Sequence, residues 1–168
     1  MKNFRPRTVE RWLSWPEADR NALAEIALDL KISENHLRDA MDWLEETVLR
    51  DGSTIHEILA SKAITDIWTD PRLGRADKFR RIKDQLRRLR FPRLAETEDA
   101  IQTKIRALKL HPEIDVSVPA GLEGARLQVR IMAASQEELM RASKKLSAAA
   151  EGELTSEIFM LLGERTEK

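Results

Sequence analysis

A dense group of basic side chains in the middle of the chain is the clearest chemical signal in the sequence. Residues 72–93 contain ten basic and two acidic residues. In a predicted helix over 76–91, residues at spacings of three and four form an apolar stripe: Phe79, Ile82, Leu86 and Leu89. Six basic side chains cover most of the remaining surface: Arg80, Arg81, Lys83, Arg87, Arg88 and Arg90. Because the planar guanidinium group suits phosphate oxygens in bidentate contact, this pattern indicates a helix that binds the phosphates of a nucleic acid.

Other interpretations of the basic helix stay open at this point. Residues 17–51 contain ten acidic and four basic residues, so the basic face could dock on this acidic segment within the same chain. The charges could also be a solvated surface, and the apolar stripe could pair two copies in a homodimer. The stripe covers less than two heptads, which is short for a coiled coil. A membrane surface is disfavoured as the partner, since the apolar face has few bulky residues.

Composition excludes several classes of protein. The chain has 168 residues, 29 basic and 29 acidic, and it contains no cysteine, which excludes disulfides and thiolate metal sites. No apolar run approaches the roughly 20 residues that a membrane helix requires, and no apolar stretch follows the first residues. These features predict a cytoplasmic protein. The charge is distributed unevenly, and residues 1–16 have a net charge of +3.

The first 70 residues have the pattern of several short amphipathic helices. Apolar spacing predicts helices over 8–15, 17–30 and 34–50, and a further helix that begins near residue 55. Ser33 is predicted to cap the third of these through its hydroxyl, and Thr54 with Glu57 fits a capping box. All four tryptophans lie in this half and are predicted to pack in or beside its core: Trp12, Trp15, Trp43 and Trp68.

Residues 24–37, with the sequence AEIALDLKISENHL, resemble the core of a helix-turn-helix DNA-binding motif. Ala27 is small where the two helices would cross, and Leu37 would be buried by the second helix. The resemblance extends over residues 24–48. It implies that the second helix lies in the major groove and reads bases near its N-terminus, through Glu34, Asn35, Arg38 and Asp39. Lys31 stands where this family usually has glycine, so a positive φ there would be strained.

The predicted reading helix is rich in acidic residues. It carries Glu34, Asp39, Asp42, Glu45 and Glu46. Phosphates repel such a surface, and phosphate contacts supply much of the affinity of a DNA-binding protein. The alternative to base reading is therefore a compact helical domain that contacts other proteins.

The C-terminal half combines helices with a hairpin. Residues 96–109 are predicted to form a short helix, and alternating residues at 114–118 and 127–131 predict two antiparallel strands. Ser135 with Glu138 fits a capping box at the start of a further helix. Residues 158–162 are compatible with a third strand or a helix. Because two strands alone are marginally stable, we expect a third strand or a dimer partner.

The residue patterns of common enzymes are missing from the sequence. His56 and Glu57 lack the second histidine of a zincin helix, and no phosphate-binding glycine loop or nucleophile elbow occurs. Glu113 and Asp115 lie near a strand, but the next strand lacks the lysine that nucleases use with such carboxylates. We therefore predict no enzyme activity, no metal site and no cofactor.

Together these patterns predict a mainly helical α+β protein. Its parts are a helix-turn-helix-like domain over 1–70, an Arg-rich connecting helix over 71–93 and an α-β-β-α domain over 94–168. The leading functional hypothesis is a non-catalytic DNA-binding protein with a role in transcription regulation or DNA maintenance, with RNA as another possible ligand. Its predicted nucleic-acid-binding residues are the six cations of 76–91 together with Asn35 and Arg38. The alternative is an adaptor whose acidic and basic surfaces bind partner proteins or each other.

Overall fold

The computed structural model describes residues 4–163, which form a mainly helical α+β fold. The chain divides into one unit that ends at Pro92 and another that begins at Arg93. The first unit contains the helices α1 (Pro6–Leu13), α2 (Glu17–Asp29), α3 (Glu34–Asp51), α4 (Ile55–Leu59), α5 (Lys62–Thr69) and α6 (Arg75–Arg90).

Helix α3 is at the centre of the first unit. Its residues Leu37, Met41 and Leu44 are almost completely buried, as their heptad-like spacing predicts. The apolar stripe of α6 packs against α3 and α5, with Ile82 and Leu86 buried. The Arg-rich helix, which we predicted as a connecting segment, is thus part of the first unit. Trp15 is buried in the same core, and the other three tryptophans are partly buried against it.

The turn between α2 and α3 has the geometry of a Schellman motif. Lys31 has a φ of 53°, in the left-handed region. The N–H of Ile32 donates to the carbonyl of Ala27 at 3.0 Å, and the N–H of Lys31 donates to that of Leu28 at 3.3 Å. These bonds satisfy carbonyls at the end of α2, and buried Ile32 contributes the apolar side chain that usually accompanies the motif.

Replacing Lys31 with glycine should therefore stabilise the first unit. Glycine adopts a positive φ without the steric cost that a side chain brings, so we expect the free energy of unfolding to rise by about 0.5–1 kcal/mol. Urea denaturation followed by tryptophan fluorescence measures this change. Gly52 is the matched control: its φ is 70° and an added Cβ would meet no atom within 4 Å. Gly52→Ala should thus lower stability by about 1 kcal/mol through backbone strain alone, and a loss of stability in Lys31→Gly would contradict the argument.

Several helix boundaries differ from the predicted ones. The Ser33 hydroxyl makes no capping hydrogen bond to α3, so that prediction is wrong. Glu34 instead binds α1, as described below. The helix predicted from residue 55 is two helices, because α4 ends at Leu59 and α5 begins at Lys62. The capping box of Thr54 and Glu57 is confirmed, with both reciprocal hydrogen bonds present.

The second unit combines helices with a small antiparallel sheet. It contains α7, which starts at the boundary (Pro92–Ala107), β1 (Ile114–Ser117), a 3₁₀ segment (Ala120–Ala125), β2 (Gln128–Ile131), α8 (Gln136–Ala150) and α9 (Glu153–Gly163). The strands are antiparallel, with Ile114 opposite Ile131 and Ser117 opposite Gln128. The C-terminal apolar run is a helix, whose residues Ile158 and Leu162 are buried. Within the described residues the sheet therefore has two strands and no third.

None of the helices in residues 4–163 is both long enough and apolar enough to cross a membrane.

Candidate nucleic-acid interface

Two of the six predicted phosphate-binding cations hold α6 against α3. The Lys83 ammonium donates to Asp39 Oδ2 at 2.8 Å and lies 5.3 Å from the centre of the Trp43 ring. Arg90 Nη2 donates to Glu46 Oε1 at 2.8 Å. Both basic side chains are about seven-tenths buried. Their charges are therefore engaged within the protein, and we assign them a structural role instead of the predicted contact with phosphates.

The other four cations of the predicted set differ in exposure, and Arg87 is as buried as Arg90, with 26% of its side chain exposed. Arg80 binds Asp77 at 2.7 Å and Arg87 binds Asp84 at 3.1 Å, both within α6 itself. An exposed pair one turn apart contributes only a few tenths of a kcal/mol, so a phosphate can replace Asp77 on Arg80 at little cost. Arg81 is exposed, and Arg88 is half-buried.

Arg50, which is not among the predicted site residues, fixes the C-terminal end of α6. Arg50, in the last turn of α3, donates to the carbonyl oxygens of Leu89 at 2.8 Å and Arg90 at 2.9 Å. A cation is favourable at the end of a helix, where carbonyl groups lack intrahelical partners. The same guanidinium binds Asp51. Arg50 therefore binds α3 to α6 independently of the two cross-helix ion pairs.

Arg11 of α1 binds the opposite side of α3. Its guanidinium donates to Asp42 Oδ1 at 2.6 Å and to both carboxylate oxygens of Glu45, at 2.6 and 3.0 Å. The hydrogen bonds to Glu45, followed by those to Asp42, raise the pKa of Arg11 despite its partial burial. The Trp15 indole N–H also donates to Glu45 at 2.8 Å. The only sequence signal for this cluster was the net positive charge of residues 1–16.

Every carboxylate of α3 has a partner inside the first unit. Asp39, Asp42, Glu45 and Glu46 bind the cations already described, and Asp51 binds Arg50. Glu34 accepts from the Thr8 hydroxyl at 2.8 Å and from the Arg5 backbone N–H at 3.1 Å. The Thr8 hydrogen bond is the largest cause that lowers the pKa of Glu34. Arg11, Lys83 and Arg90 thus offset part of the acidic charge that would otherwise repel phosphates from α3.

A basic cleft lies between the start of α1 and α3. It has a volume of about 510 Å³ and is lined by Arg5, Arg7, Thr8, Arg11, Arg38 and Asp42. Arg5, Arg7 and Arg38 are exposed. Within residues 4–163, Arg7 and Arg38 make no ion pair with a carboxylate. Arg38, one of the two residues predicted to contact bases, thus lines this cleft, and the other, Asn35, is exposed one turn before it on α3.

The exposed face of α3 is bordered by cations on both sides. Its predicted reading positions Asn35 and Arg38 lie between the arginines of α1 and those of α6. On α6, Arg80 lies about 60° further around the helix from Lys83, away from the buried residues Ile82 and Leu86. We call this combined surface, formed by the exposed residues of α1, α3 and α6, the α3 face. Glu34 and Asp39, the remaining predicted readers, are engaged by Thr8 and Lys83.

The part of the chain that the structure describes contains no group of three or more histidine, aspartate or glutamate side chains arranged to hold a metal ion. The comparisons with known proteins find no matching protein-family model, no matching curated protein and no matching solved structure.

Proposed function

We propose that this protein binds duplex DNA, without catalysis, through the α3 face. The observation that supports the proposal is the pairing of all six α3 carboxylates within the first unit, while Arg7 and Arg38 make no ion pair with a carboxylate among residues 4–163. A concave, cationic surface attracts the phosphates of DNA, and an exposed asparagine beside it can form hydrogen bonds with base edges.

The roles of the side chains follow from their surroundings. Arg38 and Asn35 are proposed to contact base edges, because they are exposed at the start of α3. Arg5 and Arg7 are proposed to hold the phosphate backbone on one side of α3. On the other side of α3, the exposed Arg80 and Arg81 are proposed to hold phosphates, whereas Arg87 and Arg88 of the predicted set are half-buried. Regulation of transcription or maintenance of DNA is the corresponding cellular role.

A second candidate function is a protein-interaction adaptor. Ion pairs between acidic residues of α3 and basic residues of α6 support this candidate, because they give an example of acidic and basic helical surfaces of this chain that bind each other. Leu49, near the end of α3, is 85% exposed and could contribute to such an interface. Binding of DNA to the α3 face distinguishes the two candidates.

Fluorescence anisotropy with a labelled duplex, measured over a series of salt concentrations, tests the proposal. We expect log K to fall linearly with log salt, with a slope whose magnitude is reduced by about one for each phosphate contact removed. Arg7→Gln with Arg80→Gln should thus reduce that magnitude by about two and weaken binding roughly tenfold or more. Single-stranded DNA and RNA of the same sequence serve as competitors.

The second unit provides a matched control for charge. Arg126 and Arg130 are exposed and lie outside the α3 face, so Arg126→Gln with Arg130→Gln removes the same net charge. Binding that persists in the α3-face variant and is lost in this control would contradict the proposal. Absence of duplex binding at low salt would favour the adaptor.

A further inference from the structure

The outer edge of β2 is an unpaired strand edge. β2 pairs with β1 on one side, and its other side has no strand beside it in the described part of the chain. Val129, in the middle of β2, is 43% exposed, whereas the β1 residues Ile114 and Val116 are buried. An exposed edge presents unpaired backbone groups on which another strand can form.

The register identifies which backbone groups are unpaired. The Met132 N–H donates to the carbonyl of Glu113 at 3.1 Å. Glu113 and Met132 are therefore a hydrogen-bonded pair of the antiparallel ladder. In an antiparallel ladder such pairs alternate, and therefore Arg130 and Gln128 also direct their backbone groups toward β1. Val129 and Ile131 direct their N–H and C=O groups to the free edge. No hydrogen bond within residues 4–163 uses those groups outside the β1–β2 ladder.

An apolar cleft lies next to this edge. It has a volume of about 270 Å³, and Leu127, Val129, Leu146 and Phe159 are among the residues that line it. Phe159 is 51% exposed, and Met132, just after β2, is 59% exposed. A strand added at the edge would bring further apolar side chains beside this cleft and shield it from water.

Among the symmetric pairings centred on Gln128, Val129 or Arg130, the charges on β2 favour one. Symmetric antiparallel pairing centred on Gln128 would place Arg126 opposite Arg130, and pairing centred on Arg130 would place two arginines opposite each other. Both arrangements are repulsive. Pairing centred on Val129 places Gln128 opposite Arg130 and Leu127 opposite Ile131. It also uses the outward backbone groups of Val129 in both copies.

We propose that β2 pairs antiparallel with β2 of a second copy of this chain, with Val129 opposite Val129 across a two-fold axis. The product is a four-stranded sheet in the order β1-β2-β2-β1, which meets the need of a two-stranded sheet for further strands. This proposal uses only the second unit and does not depend on DNA binding.

Sedimentation velocity of the full chain tests the pairing over protein concentrations from about 1 to about 300 µM. We expect a monomer–dimer equilibrium. Gln128→Glu should tighten the dimer about three- to tenfold, because it creates two Glu–Arg pairs across the axis. Val129→Pro should weaken the dimer about tenfold or more, since it removes two outward N–H donors but none of the bonds to β1. Thermal unfolding by circular dichroism checks that both variants remain folded.

Gln102→Glu on α7 adds the same charge away from the edge and should leave the dimer unchanged. A monomer at all concentrations would overturn the proposal. So would a dimer that Val129→Pro leaves intact, because another surface would then hold it. A dimer weakened by Gln128→Glu would overturn the register, since only pairing centred on Gln128 sets the two introduced carboxylates opposite each other.

Discussion

Replacing Leu44 with alanine is expected to lower the free energy of unfolding by about 3 kcal/mol. Leu44 is completely buried in the middle of α3, the helix that α4 and α6 pack against. Truncation removes the transfer energy of the lost methyl groups and leaves a cavity that the surrounding helices only partly fill. Urea denaturation monitored by tryptophan fluorescence measures the loss, because all four tryptophans lie in this unit.

Leu49→Ala is the matched control for this experiment. It makes the same chemical change five residues further along α3, where the side chain is 85% exposed. We expect its effect to stay within about 0.5 kcal/mol, as for most surface substitutions. Equal losses of stability in the two variants would show that α3 is not buried in the way described.

The second major prediction concerns Arg11→Met, which keeps most of the apolar length of the side chain but removes its charge. Arg11 is about two-thirds buried and binds Asp42 and Glu45. Allowing for solvent screening, we expect a loss of about 1–2 kcal/mol in stability. The two carboxylates that remain on α3 would also repel DNA, so that duplex affinity at low salt should fall roughly tenfold.

A double-mutant cycle separates the two effects of Arg11. Adding Asp42→Asn to Arg11→Met removes one of the uncompensated charges and should recover part of the DNA affinity, with stability remaining below that of the original protein. If Arg11→Met alters stability but leaves DNA affinity unchanged, then neutralisation of the α3 carboxylates does not support binding. That result would remove the main support for the proposed function.

Local sequence patterns predicted much of the secondary structure. Apolar spacing placed α2, α3 and α6 within one or two residues of their observed ends. The capping box at Thr54 and the hairpin of β1 and β2 were also predicted correctly. These features depend on contacts between residues close in sequence, and periodicity and capping describe such contacts well.

The residues at 158–162 could not be assigned from their own pattern, because a short apolar run suits a buried strand and a buried helix equally. In the structure this segment is a helix, and its residues Ile158 and Leu162 share a core cluster with Ile101 and Leu122. Ser33 was a reasonable cap by residue type, yet its hydroxyl makes no such bond. Thr8 and Arg5, which bind Glu34 at this end of α3, lie more than 25 residues away in sequence.

Residue order along the chain was enough to establish that the protein is mainly helical, that it carries a concentrated group of arginines and that α3 is acidic. Which of those charges remain available to a ligand depended on the tertiary fold alone. Lys83 and Arg90 belong to the same basic run as Arg80 and Arg81, but only the first two reach carboxylates of α3. Ion pairing depends on separation in space, and residues more than 30 positions apart come within 3 Å only when the helices that carry them pack together.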